Sequence, residues 1–252
     1  MWAVAGIVIL FYLSLLTFEF ISDRRFGGQY YNVYDSASNL INMIGYLLLF
    51  KILYIYVFEP AYSVCARFAA QQVPVTCGSV IVAIISMDFL LYWAHRLAHG
   101  MLWPLHHPHH SSRMFNLTTG LRQSWIHTIV VALYGVPFSF VGIPLELLLI
   151  SSQAIFIYSL FTHTRLFPRL PSVVEYIFVT PSHHRVHHGS NPAYIDRNFG
   201  GCFIVWDRIF GTFAEENEAV AYGIEDSCPT TNPLRIQISP LKLFSPQSST
   251  DP

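Results

Sequence analysis

Ten of the twelve histidines in this 252-residue chain fall in two short windows, His95 to His110 and His183 to His188. Neutral imidazole is a good ligand for iron, zinc, copper and nickel, so the first question is whether the spacing lets the rings converge. His95 and His99 are four apart, which on a helix puts both on one face, one turn apart. His184, His187 and His188 repeat that logic at i, i+3 and i+4. Thr180 suits the cap of their helix, Pro181 its first position and Gly189 its stop. His106, His109 and His110 have the same spacing. Pro108 is poorly tolerated beyond a first helical turn, so the expected helix starts near Pro108, with His106 reaching in from the preceding turn. Eight such rings exceed the about four to six ligands of one ion and fit two ions. His183, four before His187, has the spacing to point inwards. His163 sits at the right membrane depth for the same site. His107 and His127 read as ordinary packed or interfacial side chains. Asp88 lies seven residues before His95 on the same face. A carboxylate there is costly, and accepting an N–H from a ligand imidazole would justify it.

The elements that hold these residues are apolar. Residues of the hydrophobic class make up 53% and charged residues 12%, against about 25% charged in a soluble domain. The fold class expected is all-α: an integral membrane helical bundle of three spans plus a helical hairpin, with a cytosolic histidine-rich cap. Trp2 to Ile21, Leu40 to Phe58 and Val75 to Ala94 each approach the roughly 20 residues that cross a bilayer. Trp125 to Phe161 is apolar but broken by Pro137, Gly142 and Pro144, which suggests a hairpin that returns His163 to the histidine side. The organisation expected is membrane helices and loops over 1–74, a catalytic unit over 75–215 and a tail over 216–252, with Ser245 to Pro252 disordered. Arginines follow the first span (Arg24, Arg25) and the third (Arg96, Arg113, Arg122), whereas the second connector has only Arg67. The positive-inside rule then places all the histidine boxes in the cytosol of a multi-pass membrane protein, either in a bacterial inner membrane or in the endoplasmic reticulum. The formal net charge of −1 argues against nucleic acid as a partner. Cys65, Cys77, Cys202 and Cys228 form no CxxC pair and read as idle or buried thiols.

The pattern as a whole resembles the membrane-bound fatty acid hydroxylase/sterol desaturase superfamily, whose boxes are HxxxH, HxxHH and HxxHH. Beyond the boxes, the resemblance is carried by Asp88-Phe-Leu-Leu-Tyr-Trp-Ala-His-Arg96, Asn116-Leu-Thr-Thr-Gly-Leu-Arg-Gln-Ser124, Asn191-Pro-Ala-Tyr-Ile-Asp196 and Trp206-Asp-Arg-Ile-Phe-Gly-Thr-Phe213. These stretches are most similar to the alkylglycerol monooxygenase-like branch, although Pro108 is more like C-5 sterol desaturases. The resemblance implies two iron ions held by His95, His99, His106, His109, His110, His184, His187 and His188. His163 and His183 match further histidines of parts of the family. It also implies O2-dependent hydroxylation or desaturation of a lipid C–H bond (sterol, ether lipid or fatty acyl). No haem-attachment or dinucleotide motif is present, so an external donor of pterin, cytochrome b5 or ferredoxin type is expected. Trp93 is a candidate for lining the lipid route or for an interfacial belt. Arg122 is a candidate for a headgroup contact or for pairing with an acid of the cap. Two rival readings are a metal transporter and a di-zinc lipid hydrolase. A transporter wants ligands spread along the spans, and a zinc hydrolase uses fewer ligands per ion and keeps an open position.

Overall fold

A computed structural model describes residues 2–129, 135–224 and 230–240. Among these the chain is helical, with two isolated β-bridges and no strands. The first helix, Trp2–Arg25 (α1), ends on its two arginines, which suit the negative end of the helix dipole. Gly27 then turns the chain at φ +68°, a conformation glycine adopts without steric cost. The second helix, Val33–Leu53 (α2), starts at Asn32, whose side chain accepts from the N–H groups of Tyr34 and Asp35. It does not stop at Leu53. A π-helical turn over Tyr54–Phe58 carries it into Glu59–Ala66 (α3). The span is therefore Val33–Ala66, longer than the Leu40 to Phe58 expected, and the first half of the expected connector is helix.

The wide turn has a visible reason. Tyr46, Phe50, Tyr54, Phe58 and Tyr62 form a continuous ladder, with neighbouring ring centroids 5.6 to 6.3 Å apart. In a straight α-helix each four-residue step overshoots the face by about 40°. A π turn takes up part of that drift and keeps the rings in line.

Helix Cys77–His99 (α4) is capped by Thr76 in a capping box with Ser79. Helix Trp103–His110 (α5) follows after a tight turn. It starts five residues before the expected point, with Pro104 in its first turn and Pro108 inside it. The helix is so short that Pro108 forfeits little of its hydrogen bonding, and Ser111 closes the end by donating to the Pro108 carbonyl through Oγ at 2.8 Å. After a 3₁₀ turn at Leu117–Leu121 and a short helix at Pro137–Phe140 (α6), Leu145–Thr162 (α7) packs along α4. The first arm of the expected hairpin runs through residues 130–134; these, Cys228 and Ser245 to Pro252 lie outside the described residues. The cap contains Ser172–Ile177 (α8), Pro181–His187 (α9) and Val205–Ile209 (α10). A last helix, Pro233–Ile238 (α11), ties back to α2 through Gln237 and Asn42 at 3.0 Å.

Gly6–Arg25, Val33–Ala66, Cys77–His99 and Leu145–Thr162 are each long and apolar enough to cross a membrane, and only 17 to 28% of each is buried inside the protein. Faces such as Ile7, Leu10 and Phe18 of α1 and Leu40, Ile44 and Leu48 of α2 stay uncovered. Apolar faces of that extent need lipid, so the chain is an integral membrane protein. Its own core is small: Phe58, Tyr62, Met87, Phe138, Leu148, Ile155 and Cys202. Cys65, Cys77 and Cys202 are free thiols.

Candidate metal centre

The histidines meet where the ends of α4, α5, α7 and α9 converge. Two groups form. His95, His99, His106, His110 and His187 offer nitrogens within 4.8 Å of one another, and so do His109, His163, His184 and His188. All eight box histidines are thus brought together, four-residue spacing supplying one face of each helix. His163 joins the second group from the C-cap of α7. The groups share a wall: His188 stacks on His110 at 4.3 Å between centroids, and His106 lies 5.2 Å from His109.

The outer nitrogens of five of these nine rings have partners, while His184 Nδ1 is buried without one. Nδ1–H donates to Phe199 O from His95 (2.8 Å), to Arg122 O from His109 (3.1 Å), to Ser159 O from His163 (2.7 Å) and to Arg197 O from His187 (2.9 Å). His99 Nδ1 meets the Asp196 carboxylate at 3.4 Å. A proton on Nδ1 leaves Nε2 of a neutral ring with only its lone pair. Yet the Nε2 atoms face each other: His95 and His106 at 3.0 Å, His106 and His110 at 3.1 Å, His163 and His184 at 2.9 Å. Nε2 of His187 and of His188 is buried with no partner. Burial, then the neighbouring rings, drives His106, His109, His110, His184, His187 and His188 well below the ordinary imidazole value, and burial takes His163 down to about 4. Converging neutral lone pairs with oriented outer nitrogens are what a cation satisfies. The two groups are able to hold metal ions.

The loop 196–207 holds several of these anchors, and two buried carboxylates hold the loop. Asp88 accepts the N–H of Cys202 (2.6 Å) and of Phe203 (3.1 Å) and the Trp206 indole N–H (2.9 Å). Asp207 accepts from the N–H of Phe199 and of Gly200 and from Thr212. The bond expected from Asp88 to an imidazole is therefore replaced by three bonds to the loop. Asp88 acts one step removed, because Phe199 of that loop anchors His95. There is no room for more at this point, since a Cβ on Gly201 would stand 2.6 Å from Asp88 Oδ1.

Beside the histidines lies a cavity of about 360 Å³ between α2, α4 and α7. Tyr46, Leu47, Phe50, Leu91 and Phe156 form its apolar wall. His95 and His106 of one group and His109, His163 and His184 of the other line its end.

The profile of the family described as fatty acid hydroxylase matches residues 80–212, more than half of the chain. The chain belongs to the fatty acid hydroxylase family. It is 43% identical over 159 residues to an alkylglycerol monooxygenase of Xenopus tropicalis, covering 62% of this chain and 35% of that protein. It is 35% identical over 159 residues to an ornithine lipid hydroxylase of Rhizobium tropici (62% and 47%), and 30% identical over 152 residues to human lathosterol oxidase (56% and 48%). The chain spans about a third of the length of the alkylglycerol monooxygenases it matches and about half that of the other two. No solved structure matches it.

Within this family member, other residues singled out by the sequence lie apart from the two groups. His183 turns away: its Nε2 meets Glu175 at 2.9 Å and its Nδ1 accepts the Thr180 N–H at 3.3 Å. Arg122 is fully buried. It pairs with Asp35 and donates to Asn39 (2.7 Å) and Ser111 (3.0 Å), while its carbonyl anchors His109. Trp93 is partly exposed against Phe210 and Arg96 and is not in the cavity wall. His127, read from sequence as ordinary, lines the cavity with its ring 5.6 Å from His106. Asp196 is the anchor sequence reasoning missed; it stands at φ +58°, and only its place in the Asn191 to Asp196 stretch singled it out.

Proposed function

We propose that this chain is a di-iron oxygenase that hydroxylates, or desaturates, an alkyl segment of a membrane lipid. The observation that carries the reading is the apolar cavity between the spans that ends on both histidine groups. His95, His99, His106, His110 and His187 would hold one iron and His109, His163, His184 and His188 the other. When bound, the pair supplies O2 activation for attack on an unactivated C–H bond. The chain supplies the rest. Tyr46, Leu47, Phe50 and Phe156 accept an alkyl chain from the bilayer and exclude water. Phe199 O, Arg197 O, Arg122 O, Ser159 O and Asp196 hold the rings in one tautomer. The names of the relatives (alkylglycerol, ornithine lipid, lathosterol) support a lipid substrate. The arginines beside the first and third spans support a cytosolic position for the boxes. Electrons come from a separate pterin, cytochrome b5 or ferredoxin-type donor.

The test is turnover of iron-loaded protein under ¹⁸O2 with an alkylglycerol, an ornithine lipid and a sterol, read by mass spectrometry. A product of one of these lipids that gains one labelled oxygen, for hydroxylation, or loses two hydrogens, for desaturation, is expected. Iron-loaded, folded protein that oxidises none of them with any of the three donor types contradicts the reading.

A further inference from the structure

Of the histidines that line the cavity, His127 alone belongs to neither group among the described residues. It sits on the wall 5.6 Å from His106, so it lies at the end where the histidine groups begin. Gln123, four residues earlier in a non-helical stretch, lines the same cavity. Gln123 Nε2 donates to the Gly120 carbonyl at 2.8 Å, which leaves Oε1 as an acceptor. Its neighbour Arg122 carries the carbonyl that anchors His109. The His127 ring and the Gln123 amide thus line the cavity beside the metal-binding rings; Ser152, Gln153 and Ser159 line it too, and the rest of the wall is largely hydrocarbon. Placing polar groups there costs free energy unless something binds to them.

We propose that His127 and Gln123 form a polar subsite for the lipid. They hydrogen-bond an ether, ester or hydroxyl oxygen of a chain lipid and so hold the carbons beside that oxygen in front of the two groups. This rests on the oxygenase reading above and assigns the two residues that would recognise the oxygen of such a lipid in the cavity. An imidazole N–H serves an ether or carbonyl oxygen, and the Gln123 oxygen serves a hydroxyl. Sites built this way discriminate strongly against analogues that lack the oxygen, because their own polar groups are then left unpaired.

The experiment uses the full chain in phosphatidylcholine nanodiscs, loaded with redox-inert zinc so that binding is read without turnover. Radiolabelled 1-O-hexadecylglycerol and hexadecane are the probes, and wild type is compared with His127→Ala and His127→Gln. Wild type is expected to prefer the ether lipid. His127→Ala is expected to keep the metal content of wild type and its hexadecane binding, and to bind the ether lipid roughly tenfold more weakly. His127→Gln, which keeps hydrogen-bonding groups, is expected to recover most of that loss. Loss of metal from His127→Ala would make the residue a ligand and overturn the proposal. Equal weakening of both probes would make it mere lining, and equal binding of both by wild type would remove the subsite altogether. Failure of the oxygenase reading looks different: iron-loaded wild type would then oxidise no lipid, whatever the binding of these probes.

Discussion

The two histidine groups are built from different parts of the molecule. The five-membered group takes His95 and His99 from a membrane span, His106 and His110 from α5 and His187 from α9. The outer nitrogens of His95, His187 and His99 rest on one loop, through Phe199 O, Arg197 O and the Asp196 carboxylate, whose side chain is 62% exposed. The four-membered group takes His109 from α5, His163 from the end of α7, and His184 and His188 from α9. Its known anchors, Arg122 O and Ser159 O, come from separate elements in the interior. One group therefore leans on a single loop near water, and the other on the bundle itself. Perturbing the loop should touch the first group, and perturbing the bundle should touch the second.

His188→Ala should have the largest effect, because His188 belongs to the four-membered group and stacks on His110 of the other. Turnover should fall by at least about a hundredfold, with the protein still in the membrane. Metal analysis alongside the activity assay checks both parts, and full activity would remove His188 from the ligand set. His163→Ala comes next. It should empty the four-membered group while sparing the five-membered one, which isothermal titration with a divalent metal resolves as loss of one binding event. Loss of both events would mean that the groups are not independent.

Asp196→Asn should be milder. The amide still meets His99 but no longer as a carboxylate, and affinity at the five-membered group should drop about tenfold, with the other unchanged. A change at the four-membered group instead would contradict the separate support described above. Gly120→Ala should be smallest. A Cβ there stands 3.0 Å from His163 Nδ1, so the ring must shift by a few tenths of an ångström. A few-fold loss confined to the four-membered group is expected in the same titration.

The comparison also marks what was legible in the sequence. Boxes on one helix announce themselves, because ligand spacing and helical period are the same signal; His95 with His99 and His184 with His188 are of this kind. The spans were legible because apolar length is a local property. His163 was harder: a lone histidine becomes a ligand only through the meeting of α7 with α5 and α9. His183 had the right spacing, yet its place near the start of α9 lets it reach back to Thr180 and across to Glu175. Asp88 signalled a buried need correctly, but its partners are backbone N–H groups more than a hundred residues away. The continuation of α2 through its π turn was hidden because the aromatic ladder's four-residue step matches neither a strict α period nor a break. Pro108 misled because a proline rule for long helices was applied to one of eight residues.

The central claim is that the histidines make two metal sites rather than one. The direct measurement is iron content with a Mössbauer spectrum of anaerobically purified, iron-supplemented protein, before and after exposure to O2. About two irons per chain, magnetically coupled after oxidation, is the predicted result. One ion per chain, or zinc that iron does not displace, would contradict it.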